Sequence, residues 1–197
     1  TRLSPSPLTA RRARSQARAA ASAATATPEP TPEPTPEPTP EPAVILQSGE
    51  AGSAVAWQFD SHGVLTLSGS GAMSNYKSTD YTAPWREFKD EIKKVVIEDG
   101  VTSVGEYAFA DCTNLEEVVL PDSVTLVGAR SFSECTSLKG IDIPDEVEDV
   151  GGAAFYDCGA LETVTLGNSV RKIRGYAFFR CAGFDHIELP KSLVHIE

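Results

Sequence analysis

Four cysteines are the residues best suited to covalent or metal chemistry, and they stand at 112, 135, 158 and 181, a constant step of 23. A thiolate can attack an electrophile, ligate zinc or pair in a disulfide. Attack calls for a basic partner, and none of the three histidines, His62, His186 and His195, has a Cys or Ser partner placed by that step. Zinc calls for paired C-x2–4-C spacing, which is absent. Stacking in register at ~4.8 Å would bring the thiols near one another, but parallel side chains entering one core are poorly disposed for bridging. The spacing therefore predicts a structural ladder of free, buried thiols at Cys112, Cys135, Cys158 and Cys181.

Other chemistry finds as little purchase. Asp99, Asp122 and Asp145 fall in one column of the same period, continued by Asn168. Calcium wants about six to eight oxygen ligands, more than one carboxylate per unit supplies, so these side chains are expected to cap turns. The Gly-Ser-Gly at 69–71 has no following Lys-Ser/Thr and reads as a bend, and no G-x-S-x-G, H-E-x-x-H or Walker loop occurs. No metal site, cofactor or catalytic residue is expected.

The period itself carries the architecture. Phe109, Phe132, Phe155 and Phe178 keep the step of 23, as do Val95, Val118, Ile141, Val164 and Ile187. A second apolar column lies two residues on, at Ile97, Leu120, Ile143, Leu166 and Leu189. Apolar residues two apart mark a strand with one buried face. Further columns run through Val101, Val124, Val147, Val170 and Leu193, through Val104, Val127, Val150, Ile173 and Ile196, and through Leu115, Leu138, Leu161 and Phe184. The step from Phe109 to Cys112 matches a helical turn, so each unit reads as strand, turn, short helical or 3-10 bend, and return. About eight buried side chains at ~2 kcal/mol each cannot offset the ordering of 23 residues at ~1.5 kcal/mol each. One coil cannot stand alone, whereas stacked coils cover one another.

A 23-residue unit with L-x-x-V-x-L-P falls in the leucine-rich repeat range. The pattern LPxxVxxVGxxAFxxCxxL resembles the bacterial BspA-like subclass of that repeat. The stretch VLTLSGSGAM…APW…IKKVVIEDGVTSVGEYAF is similar to the segment that commonly precedes it. The resemblance covers about residues 50–197 and implies surface display, adhesion and protein binding, with no catalytic motif. Arg174 departs from the glycines at 105, 128 and 151, Gly167 replaces proline, and Ser131 replaces alanine. The expected fold is an α/β-type repeat solenoid of 23-residue leucine-rich coils, with a parallel sheet on one face and a β-hairpin cap before it.

Composition divides the chain into four parts. Residues 1–26 hold five arginines, no acid and few large apolar side chains, which predicts a disordered arm. Residues 27–42 repeat Thr-Pro-Glu-Pro, and alternate prolines predict a polyproline-II spacer of about 50 Å. Residues 43–91 lie outside the period. There Val55, Trp57 and Phe59 alternate with small or polar residues, and a turn at 60–63 leads to a second strand at 64–67. Trp85, Phe88 and Ile92 then share one face of a short helix, completing a cap. Residues 92–197 hold about four and a half coils ending without a polar cap, which predicts further repeats or end-to-end self-association.

From residue 43 onward 12 basic residues face 24 acidic ones, a balance that disfavours nucleic acid and anionic lipid. No apolar run is long enough to span a membrane. Function is expected on strand residues pointing away from the core: Lys94, Val96, Glu117, Val119, Asp142, Thr163, Thr165, His186 and Glu188. The neighbouring column Lys93, Glu116, Lys139, Glu162 and Asp185 alternates in sign over its first four members and reads as a solvated, register-keeping row. The sequence thus predicts a non-catalytic bacterial protein, secreted or on the cell surface, that binds another protein. Two alternatives remain open: a glycan-binding module, favoured if Trp57 or Trp85 exposes its ring, and an accessory module of a larger secreted enzyme.

Overall fold

A strand two or three residues long is stable only where its backbone bonds and its buried side chain are met by neighbours on both sides, and the repeat supplies them. The computed structural model describes residues 41–76, 82–183 and 186–197. Expectations for the arm, for nearly all of the Thr-Pro-Glu-Pro segment, and for Phe184 and Asp185 lie outside the described residues. Residues 42–197 form one unit.

The strands are β1 (Ile45–Glu50), β2 (Val55–Asp60), β3 (Val64–Gly69), β4 (Gly71–Ala72), β5 (Lys94–Ile97), β6 (Val101–Val104) and β7 (Glu117–Val119). They continue with β8 (Leu126–Val127), β9 (Gly140–Asp142), β10 (Asp149–Val150), β11 (Thr163–Thr165), β12 (Lys172–Ile173) and β13 (His195–Ile196). One sheet runs β1-β2-β3-β5-β7, and β9-β11 pair in the same way in the next two coils. Here β2 lies antiparallel to both β1 and β3, whereas β3 joins β5, and β5 joins β7, in parallel. A second sheet runs β13-β12-β10-β8-β6-β4.

A third ladder uses no strand at all. In residues 107–111 alternate amides reach the next coil: Tyr107, Phe109 and Asp111 N–H donate to the carbonyls of Ala129, Ser131 and Ser133 at 3.0, 2.7 and 2.8 Å. The amides between them turn inward, Ala108 to Gly105, Ala110 to Tyr107 and Cys112 to Phe109. This alternation recurs from residues 130–134 to the coil of Gly152 and from 153–157 to that of Gly175. It requires a left-handed backbone at two positions per coil, seen at Tyr107 and Asp111, Arg130 and Glu134, Ala153 and Asp157, and Tyr176 and Arg180.

The α/β label is therefore corrected. Among the described residues the one helix is 3-10, Arg86–Glu91, and the segment read as a helical bend is this non-helical ladder. Its changes in φ sign break a helix, and hydrogen bonds to the next coil replace intrahelical ones. Residues 42–197 form a β-solenoid of about four turns. Two further differences concern number: the coils carry two rows of parallel strands where one was expected, and the hairpin of β2 and β3 is joined by a third strand, β1, antiparallel to β2.

The core follows the columns. Phe109, Phe132, Phe155, Leu115, Leu138, Leu161, Val101, Val124, Val147 and Val170 are fully buried. The phenylalanine rings stack with centroids 5.2 and 5.4 Å apart, and Phe178 continues the row at 5.3 Å. Trp85 begins it, 5.4 Å from Phe109, with its indole N–H donating to Ala108 O at 2.8 Å. The helix face of Trp85, Phe88 and Ile92 is buried as its spacing predicts, against Trp57, Phe59 and Tyr76. Glycine at 128 and 151 lets coils approach: a Cβ there would stand 2.6 Å from Val104 O and 2.5 Å from Ala129 N. Arg174 nevertheless holds the same place, with its amide on Val150 O and its guanidinium gripping both Asp149 oxygens at 2.6 to 3.1 Å. In the fifth coil Leu189, Val194 and Ile196 are exposed.

Candidate functional site

The cysteines are all free and occupy one internal column, buried at 112, 135 and 158 and half-buried at 181. They do more than fill space. Cys135, Cys158 and Cys181 Sγ–H donate to the carbonyls of Phe109, Phe132 and Phe155 in the preceding coil, at 3.2, 3.1 and 2.9 Å. Burial pushes the Cys112 thiol up to about 12 and the Cys135 thiol well up. Cys158 is raised by its contact with Cys181 and by burial, and the same contact lowers Cys181, so it is the first three thiols that are held protonated. A thiol held protonated is a poor nucleophile and a poor metal ligand.

No hydrogen bond joins a histidine to a cysteine or serine among the described residues, and His195 instead lies 3.7 Å from Glu197. No group of His, Cys, Asp and Glu suited to a metal ion occurs among the described residues. In the aspartate column Asp145 Oδ1 accepts from the backbone N–H and side-chain amide of Asn168, at 2.9 and 3.0 Å, which lowers its carboxyl below the usual range. It thus caps the turn of the next coil rather than its own. No helix of the described residues is long and apolar enough to cross a membrane.

The strand-face residues are brought together as an outward row. Val95, Val118 and Ile141 turn inward, so Lys94 and Val96 on β5, Glu117 and Val119 on β7, and Asp142 on β9 turn out, joined by Thr163 and Thr165 on β11. Lys94 stands opposite Glu117, Val96 opposite Val119, and Asp142 opposite Thr165. Lys94 and Val96 are half-buried, the others exposed; His186 and Glu188 are exposed beside β11 but lie on no strand. Lys94 Nζ meets Glu117 Oε1 at 2.8 Å, and in the alternating column Lys139 Nζ meets Glu116 Oε2 at 2.9 Å. That hydrogen bond with Lys139 lowers the Glu116 carboxyl and raises the lysine.

Two shallow depressions lie in this row. One of about 430 Å³ is lined by Glu117, Val119, Lys139, Asp142 and Thr163, where β7 and β9 do not share a regular ladder. The other, of about 320 Å³, is lined by Glu162, Thr163, Thr165, His186 and Glu188. The face also extends further than the repeat suggests. Val64 and Thr66 on β3 stand opposite Lys94 and Val96, and Gln58 on β2 stands opposite Thr66. The two-residue alternation in 55–59 and 64–67 was the available signal, hidden because these strands lie outside the period.

Both tryptophans are buried, Trp57 at 4% and Trp85 at 1% exposure. The condition for a glycan platform on either ring is not met, because both rings are spent on the aromatic cluster beneath β2 and β3.

No curated protein matches the chain. Among solved structures it is similar to the T. pallidum leucine-rich repeat protein at 21% identity, covering 75% of this chain and 81% of that one with a TM-score of 0.55. It is also similar to a leucine-rich repeat protein from Eubacterium ventriosum, at 17% identity, 76% and 61% coverage and a TM-score of 0.48. A leucine rich cell surface protein from Faecalibacterium prausnitzii matches at 20% identity, 80% and 51% coverage and a TM-score of 0.46. The chain thus spans about three fifths of the second protein and half of the third. The model of the BspA type leucine-rich repeat region matches residues 87–197 in six copies, and with the ladder geometry above this establishes that the chain belongs to the BspA-type leucine-rich repeat family.

Proposed function

We propose that this chain is a bacterial surface or secreted protein that binds another protein through the outward face of β5, β7, β9 and β11, in an adhesive role. The observation that carries the reading is the make-up of this row. It sets Val119, 40% exposed, beside Glu117, Asp142, Thr163 and Thr165 on a continuous run of strands, around two depressions. Backbone ladders fix these side chains, so a partner would meet a preformed surface with little ordering to oppose binding. Display away from a surface is supported by the Thr-Pro-Glu-Pro spacer of residues 27–42.

The test is binding of the full chain to host extracellular proteins, beside the variant Glu117→Ala/Asp142→Ala/Thr165→Ala. Binding shown by the native chain and lost by the variant supports the strand face. Equal binding by both moves the site elsewhere, and binding by neither removes the adhesion reading.

A further inference from the structure

The edge of β1 is a second feature whose chemistry specifies a partner, independently of the strand face. β1 is the outermost strand of its sheet, and all six of its residues are exposed. Val44, Ile45 and Leu46 are 60%, 52% and 54% exposed. These three side chains give the edge an apolar end. Ala51 N–H donates to Val55 O at 2.7 Å, and Gly49 and Gln47 stand opposite Trp57 and Phe59. Because alternate residues of an antiparallel pair bond inward, the N–H and C=O groups of Ser48 and Glu50 point away from β2. Among the described residues no strand pairs with that edge.

Edges that must stay single are commonly guarded by lysine, proline or inward-pointing charge. β1 has none of these; its one charge is the terminal Glu50, and its one irregularity, between Ile45 and Gln47, leaves 47–50 in regular register. The strand also complements itself. Pairing Ser48 with Ser48 of a second copy, antiparallel, sets Gln47 opposite Gly49, which has no side chain, and Leu46 opposite Glu50. The two Glu50 carboxylates then stand about 13 Å apart at ~3.3 Å per residue, beyond the ~8 Å screening length of physiological salt.

We propose that β1 pairs antiparallel with β1 of a second copy of this chain, centred on Ser48, joining two sheets into one. The area covered by two such short strands lies below the ~1,200 Å² at which stable complexes begin, so the dimer is weak and concentration-dependent.

The full chain is to be followed by sedimentation equilibrium from micromolar to several hundred micromolar at 150 mM salt. The expected result is a mass that rises toward twice the monomer. Ser48→Pro removes an outward N–H from each copy while sparing the bonds to β2, and Leu46→Glu sets a carboxylate opposite Glu50 of the other copy. Each acts twice in the two-fold pair and should weaken the dimer at least ten-fold. Leu46→Glu keeps the test decisive if the proline disturbs β1. A native chain that stays monomeric, or a dimer that Leu46→Glu leaves unchanged, overturns the proposal.

Discussion

Serine at 131 shows how closely the coils specify each residue. It occupies the place held by Ala108, Ala154 and Ala177, is fully buried, and its hydroxyl has no hydrogen-bond partner. An unpaired buried hydroxyl forfeits its bonds to water without replacement. Ser131→Ala is therefore expected to raise stability by about 1 kcal/mol, read as a higher urea midpoint at unchanged slope. An equal or lower midpoint would mean that the hydroxyl finds a partner in solution. Cysteine at 135 and 158 is the opposite case, since its thiol donates to a phenylalanine carbonyl one coil back. Periodicity announced that these residues were structural, but a hydrogen bond between coils leaves no trace in spacing alone.

At the scale of the element, the aromatic row makes a graded prediction. Phe132 is stacked on both sides by Phe109 and Phe155, whereas Phe178 is only half-buried. Phe132→Ala should cost about 3–5 kcal/mol, and Phe178→Ala clearly less. Equal losses in denaturant unfolding would argue against the row as a continuous core. The turn ladder makes another. Glu134 is exposed at φ 64°, a conformation costing an L-residue about 1–2 kcal/mol. Glu134→Gly is expected to stabilise by up to about 1 kcal/mol after the loss of unfolded-state restriction, and Glu134→Val to destabilise. A glycine variant less stable than the valine variant would contradict the left-handed turn. These turns also mark where the sequence stopped being legible. The strand columns were readable because burial repeats every second residue. The left-handed positions are Tyr, Arg, Ala and Tyr, then Asp, Glu, Asp and Arg, with no glycine to betray them, so Phe109 to Cys112 looked helical. β1 was missed because Ile45–Glu50 is exposed throughout and carries no alternation. The outward strand residues were legible as a row, but the depressions depend on the ladder break between β7 and β9, which spacing does not encode.

For the whole molecule, a core built around a thiol column sets the direction of its alkaline response. Burial pushes the Cys112 thiol from its ordinary 9.0 up to about 12, and Cys135 shifts the same way. Tyr76, buried with its hydroxyl donating to Ala51 O at 3.2 Å, rises from 10.0 to about 12. In the unfolded chain these groups release their protons near their ordinary values, while in the folded molecule they keep them. Above pH 9.0 the folded state therefore binds more protons than the unfolded one, and stability must fall as pH rises through the window up to about 12. Each thiol held protonated contributes a slope of about 1.4 kcal/mol per pH unit. Urea unfolding under reducing conditions should be nearly level from pH 7 to 8.5 and then decline increasingly steeply. Cys112→Ala should lose one thiol's share of that slope, whatever it does to stability at neutral pH. A native chain equally stable at pH 8 and pH 11 would show that the column is wetter than its burial implies. Because every coil shares this column, the loss should appear as one cooperative transition of the described coils rather than as fraying of a single turn.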